Sequence, residues 1–193
     1  MSVWVAKSAV IAASLVMVAI RAPHGLRSQS VKVTTDRKGP LEKALLTLAW
    51  MGFFIPLIWV FSSVFAFAEY GLRPAPLVAG VAGLAAGLWL FHASHASLGT
   101  NWSISLQMRE GHRLVTDGLY RHVRHPMYVA LIVYGIGQAL VVPNWIVGPS
   151  YLVTFGILFM LRVRAEEQMM LDEFGDEYAV YMAKTQRLIP GVW

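Results

Sequence analysis

Two stretches of this chain carry side chains suited to chemistry: Arg124-His125-Pro126-Met127-Tyr128 and Arg162-Val163-Arg164-Ala165-Glu166-Glu167. In the first, proline suits the opening turn of a helix, and the histidine before it is biased to extended geometry. A helix starting there presents free N–H groups and the positive end of its dipole, a good seat for a carboxylate. Arg124 and His125 add donors. In the second stretch, Arg162 and Glu166 are four residues apart and share a helix face. An arginine there can hold a carboxylate through paired hydrogen bonds. Alone, the first motif reads equally as a helix start in a basic loop, and the second as an ion pair at a helix surface.

The elements between the motifs bring them together. Pro126–Val142 and Trp145–Leu161 are apolar runs joined by Pro143-Asn144. As helices, each is about 25 Å long, roughly a thin bilayer core. A hairpin returns the chain to the side it left, so both motifs lie at one membrane face. Charges converging at a membrane surface mark a site.

The whole chain is of the same kind. It has 193 residues, 56% of them hydrophobic and 14% charged, with a mean hydropathy of +0.54. A soluble domain carries more charge. The expectation is an all-α integral membrane protein in a single domain, with five transmembrane helices over about 3–20, 45–68, 76–96, 126–142 and 145–161. An amphipathic C-terminal tail, 162–193, follows. The first span lacks the basic start and cleavage site of a signal peptide. Pro56 is a candidate kink. The absence of cysteine excludes disulfides, thiolate metal sites and a cysteine nucleophile. The net charge of +5 sits in short loops beside spans, the positive-inside pattern and not a nucleic-acid signal. Its alternation places the N-terminus outside, and the C-terminus and both motifs in the cytoplasm.

Other segments have plainer readings. Gly80, Gly83 and Gly87 suit close helix packing inside the protein, with a dimer interface as the alternative. The tail alternates Glu166, Glu167, Asp172, Glu173, Asp176 and Glu177 with apolar residues, and breaks near Gly175. Being acidic, it is expected to fold over the end of the bundle. The connector His112-Arg113-Leu114-Val115-Thr116-Asp117-Gly118-Leu119-Tyr120 contains an Asp-Gly turn and apolar residues able to wall a planar ring. His92 and His95 share a helix face without a third ligand, so no metal is expected. Asn101-Trp102 reads as an interface anchor, with a substrate-side role as the alternative.

Taken in order, five pieces resemble the isoprenylcysteine carboxyl methyltransferase family. They are His112-Arg-Leu-Val, Gly118-Leu-Tyr120, Arg124-His-Pro-Met-Tyr128, Arg162-xxx-Glu166-Glu167 and Phe174-Gly-Asp-Glu-Tyr178-xx-Tyr181. The resemblance covers about 101–190 and extends to the five-span plan of small prokaryotic members. It implies S-adenosyl-L-methionine as cofactor, held on the cytoplasmic side. His112, Arg113, Leu114, Val115, Tyr120, His125, Pro126, Met127, Tyr128 and Glu166 would line the cofactor pocket. Arg162 would hold the substrate carboxylate and, with Glu166, serve catalysis. Gln107 is the nearest counterpart of a cofactor-contacting glutamine, at a shorter spacing from His112 than the family shows. Met127 stands where the family often has a small polar residue.

Methyl transfer to a carboxylate needs no general base, because the acceptor is already ionised at neutral pH. The protein must align, desolvate and exclude water. A lipid-like or prenylated acceptor would enter from the bilayer, among membrane lipids, while the cofactor enters from water. Three competing functions remain: a phospholipid N-methyltransferase, an NADPH-dependent membrane reductase and a non-enzymatic scaffold. An amine acceptor needs a carboxylate base and would be repelled by Arg162. A reductase needs more basic residues for a 2′-phosphate.

Overall fold

Prolines open three of the long helices, as their fixed φ and missing N–H allow. The computed structural model describes residues 2–191. Helix α1 spans Val3–Gln29 and is capped by Ser2, whose hydroxyl accepts from the Trp4 N–H at 3.3 Å. A short strand β1, Val33–Asp36, precedes α2, Pro40–Phe61. Helix α3 covers Pro74–Leu98, and strand β2 Gln107–Arg109. Helices α4, Pro126–Val141, and α5, Val147–Phe174, form the hairpin, and α6, Asp176–Lys184, follows. Helices α1, α2, α3 and α5 are long and apolar enough to cross a membrane. Helix α4 is a shorter apolar helix of 16 residues, about 24 Å. Exposed Trp4, Leu15, Phe61, Val78, Trp89 and Met160 give the bundle the apolar exterior that lipid requires.

Several boundaries differ from the expected spans, for local reasons. Helix α1 continues past Ile20 to Gln29 and carries Pro23 within it. Helix α2 begins at Pro40 and stops at Phe61. The expected continuation to Ala68 is an extended Ser62 followed by a turn and a 3-10 segment, Ala66–Ala68. Serines compete with helical hydrogen bonding, and the Ser63 carbonyl accepts from the Ala66 N–H at 3.0 Å. Residues 162–174 are a direct extension of α5, and only α6 folds back. The break falls at Gly175, whose φ of 52° is the left-handed conformation glycine tolerates.

The strands form an antiparallel pair with a bulge between Val33 and Thr35, an element absent from the all-α expectation. Alternation over three or four residues is too brief to register as a strand. The pair matters because it closes the site. Leu106 and Met108 pack against Met169 on the extension of α5, with Met170 and Phe174 alongside.

Glycine sets the distance between α3 and α4. A methyl group built on Gly137 would lie 2.5 Å from the Leu84 backbone nitrogen, and one on Gly87 2.7 Å from that of Tyr134. The glycine face of α3 therefore packs inside the protein. Hairpin register comes from Asn144, which is 1% exposed. Its Oδ1 accepts from the Ile146 and Val147 N–H groups at 3.0 Å each, and its Nδ2 donates to the Phe65 carbonyl at 2.7 Å. One side chain thus starts α5 and ties the hairpin to the loop after α2.

Candidate active site

At the open end of the hairpin, both charged motifs meet around a cavity of about 220 Å³. Helix α4 does begin at Pro126, with His125 preceding it. Beside it, Tyr128 donates to Glu166 Oε2 at 2.7 Å, and His125 Nδ1 lies 3.9 Å from Glu166 Oε1. Arg162 Nε lies 3.6 Å from Glu166 Oε2, the four-residue pairing expected from the spacing. A second carboxylate shares this arginine: Glu42, in the first turn of α2, lies 3.3 Å from Arg162 Nη1 and is 4% exposed. Glu42 also accepts from the Leu106 N–H at 3.3 Å, and Arg162 Nη1 donates to the Ile104 carbonyl at 3.1 Å. The arginine is thus braced from α2, α5 and the loop before β2.

Glu167 is the second centre of charge. It accepts from Arg124 Nε at 2.9 Å and from Arg187 Nη2 at 2.7 Å, with His125 Nε2 at 3.4 Å. Arg124 also donates to the carbonyls of Met182 and Thr185. The backbone N–H groups of Arg124 and His125 donate to the carbonyls of Gln186 and Arg187 at 2.7 and 3.1 Å. The tail is therefore laced to the start of α4. Tyr181, on α6, adds a hydrogen bond to the Tyr120 carbonyl at 2.6 Å. The tail does fold over this end of the bundle.

Of the residues singled out by the sequence, Gln107, His112, Arg113, Leu114, Val115, Tyr120, His125, Met127, Tyr128, Arg162 and Glu166 all line the cavity. Pro126 does not line it and acts by starting α4. Gln107 is engaged within the protein: its Nε2 donates to Asp36 Oδ2 at 2.8 Å, and its Oε1 accepts from Ser105 at 3.2 Å. Met127 contributes its side chain as wall, its sulfur accepting from the Trp102 indole at 3.2 Å. Gly118, with φ of 55°, turns the connector so that Tyr120 points inward, where burial pushes its hydroxyl pKa well up. Burial also lowers the His112 pKa, which keeps its imidazole neutral at neutral pH.

Some features were not read from the sequence. Trp102 is 4% exposed and lines the cavity together with Asn101, in line with the second of their two sequence readings and not with an interface anchor. Its ring lies 4.7 Å from that of His95, which draws it into the bundle. His95 is fully buried, with its Nδ1 2.9 Å from the Phe91 carbonyl, while His92 faces outward. Two charges of the first connection gain a role only in the structure: Glu42 reaches Arg162, and Arg21 lines the cavity. The available signal for Glu42 is an acid two residues after Pro40, at a helix start within a mostly basic connection.

The cavity is chemically two-sided. His112, Arg113, His125 and Glu166 make its polar end, and Phe53, Leu131, Phe155 and Leu158 its apolar end. The polar end could hold a small molecule that carries charged and hydrogen-bonding groups beside a planar ring. Buried His112 Nδ1 and Ser103 Oγ have no hydrogen-bond partner among the described residues. Glu166 offers a carboxylate to an ammonium or hydroxyl group, and Leu114 and Val115 offer a face to a purine.

Residues 81–172 match the family model of the isoprenylcysteine carboxyl methyltransferase (ICMT) family. The chain is 32% identical over 115 residues to the protein-S-isoprenylcysteine O-methyltransferase of Homo sapiens, covering 58% of this chain and 40% of that one. It is 29% identical over 109 residues to the Schizosaccharomyces pombe protein of the same name, covering 55% and 46%. Among solved structures, it resembles the eukaryotic intramembrane Ras methyltransferase ICMT, with a TM-score of 0.53 and 26% identity. That likeness covers 82% of this chain and 55% of the other. The chain spans less than half the length of these curated relatives. The resemblance drawn from the motifs is borne out, and its matched segment contains both of them.

Proposed function

We propose that this chain is an S-adenosylmethionine-dependent methyltransferase that esterifies the carboxylate of a lipid-like acceptor, an isoprenylcysteine or an analogue. The observation carrying this reading is the braced Arg162 at the junction of a polar and an apolar half-cavity. The bound cofactor supplies an electrophilic methyl group on a sulfonium. His112, Arg113, Tyr120, His125, Met127 and Glu166 hold it at the polar end. Gln107, whose amide is already tied to Asp36, contributes wall. The apolar end takes the hydrocarbon chain. Arg162 presents a guanidinium edge to the acceptor carboxylate, while Glu42, Glu166 and the Ile104 carbonyl fix its orientation. Aligning the two reactants in a dry cavity is worth several orders of magnitude in rate. The alternation of loop charges supports a site at the cytoplasmic face, with the N-terminus outside.

A second reading is methyl transfer to the amine of a phospholipid. Glu42 and Glu166 favour it, since two carboxylates offset one arginine and could hold an ammonium group.

Calorimetric titration of the detergent-solubilised protein separates the cofactor classes. S-adenosylmethionine and S-adenosylhomocysteine are expected to bind at one per chain, and NADPH not to bind. Binding of NADPH without either adenosyl ligand would overturn the proposal.

A further inference from the structure

The charges around Arg162 leave a problem for an anionic acceptor. Glu42, Arg162 and Glu166 together carry one net negative charge. A carboxylate arriving there needs another cation in the same cavity. Arg21 on α1 is such a cation. Its guanidinium lies 5.6 Å from the centre of the Trp50 ring on α2 and 5.3 Å from that of Trp102. Aromatic faces hold a guanidinium without using up its in-plane N–H donors. Among the described residues, no carboxylate or carbonyl pairs with those donors, and Tyr151 and Arg162 are the groups close enough to act on it electrostatically. An arginine placed in an apolar wall without a carboxylate is costly unless something anionic visits it.

Its position indicates what visits. Val18 and Trp50 line the cavity, yet are 50% and 43% exposed on the outer surface of the bundle. The cavity therefore opens sideways between α1 and α2, toward lipid. Arg21 sits one helical turn from Val18, at that opening. A molecule sliding in from the bilayer, with its chain among apolar residues, meets Arg21 on its way to Arg162.

We infer that Arg21, clasped by Trp50 and Trp102, is the residue that recognises the acceptor's carboxylate at a lateral entrance. This assignment rests on the methyl-transfer reading above and adds a specificity determinant on α1. Arg162 then orients the carboxylate, and Arg21 selects it. An anionic phospholipid could offer the same oxyanion chemistry, so the test must separate charge on the acceptor from charge in the bilayer.

The test compares N-acetyl-S-farnesylcysteine with its methyl ester. They share the prenyl chain and differ in one negative charge. Binding of each is measured in a neutral detergent, with S-adenosylhomocysteine present, for wild type, Arg21→Gln and Arg21→Lys. Wild type is expected to prefer the acid. Arg21→Gln should weaken acid binding by about tenfold or more, the worth of one charge-assisted hydrogen-bonded contact. Its affinities for the ester and for S-adenosylhomocysteine should stay within about twofold of wild type, which also shows that the variant is folded. Arg21→Lys should recover part of the acid preference. An undiminished acid preference in Arg21→Gln overturns the assignment while leaving the methyltransferase reading intact. Equal binding of acid and ester to wild type overturns it too, and returns Arg21 to lipid phosphate. Failure of wild type to bind either compound, with S-adenosylhomocysteine bound, overturns the assignment together with the acceptor class on which it rests.

Discussion

Arg162→Ala should lower methyl transfer by about a hundredfold or more while leaving the protein able to bind S-adenosylhomocysteine. Removing one well-placed donor from a desolvated site typically costs two to three orders of magnitude in rate. Here the substitution also strands two carboxylates: Glu42, 3.3 Å from the arginine, and Glu166, 3.6 Å away. Their unbalanced charge would repel the acceptor's own. Glu166 keeps the Tyr128 hydroxyl, so its position on the cofactor side persists. Arg162→Lys should recover only a fraction of the rate, because an ammonium cannot reach Glu42, Glu166 and the Ile104 carbonyl in one plane. Single-turnover rates and calorimetric affinities, measured on the same preparations, separate loss of transfer from loss of cofactor. Unchanged turnover in Arg162→Ala would remove this residue from the mechanism.

Glu167→Ala should destabilise the protein by about 3–5 kcal/mol, the usual consequence of removing one member of a buried ionic cluster. Glu167 is 4% exposed and receives both Arg124 and Arg187, with His125 alongside. Without it, Arg124 and Arg187 lose the carboxylate they share, and the tail loses its anchor at the start of α4. The thermal midpoint in detergent should fall accordingly, and α6 should become the first segment cut by protease. Asp172→Ala is the matched control. Asp172 also pairs with an arginine, Arg37 at 2.6 Å, but both side chains are well exposed, and such pairs contribute little. Equal midpoints for the two variants would mean that the Glu167 cluster does not hold the tail.

Much of this arrangement is legible in the residues. Apolar runs and loop charges reveal the helical bundle, and the short Pro143-Asn144 joint brings two distant motifs to one end. The motifs do meet, through His125, Tyr128, Glu166 and Glu167. What is not legible depends on contacts between elements remote in sequence. Glu42 reaches Arg162 across 120 positions. No periodicity within α2 announces that an acid in its first turn faces inward. Arg21 resembles any basic residue ending a span, and only the approach of Trp50 and Trp102 distinguishes it. Trp102 itself fits the usual pattern of an interfacial tryptophan, until packing against His95 buries it. The strand pair is short enough that its stability comes from Leu106 and Met108 resting on Met169, not from a sequence pattern. Helices α1 and α5 end beyond the expected spans because both continue past their apolar stretches into polar sequence, held there by tertiary contacts.

Methyl transfer to a carboxylate leaves an ester, and that bond is what identifies the reaction. The protein is incubated with methyl-labelled S-adenosylmethionine and N-acetyl-S-farnesylcysteine, and the lipid product is treated with mild base. Label is expected in the lipid fraction, and base should release it as methanol, as it does from an ester. Label that resists base and sits on a phospholipid amine would contradict carboxyl methylation, as would the absence of any labelled lipid from protein that binds S-adenosylhomocysteine.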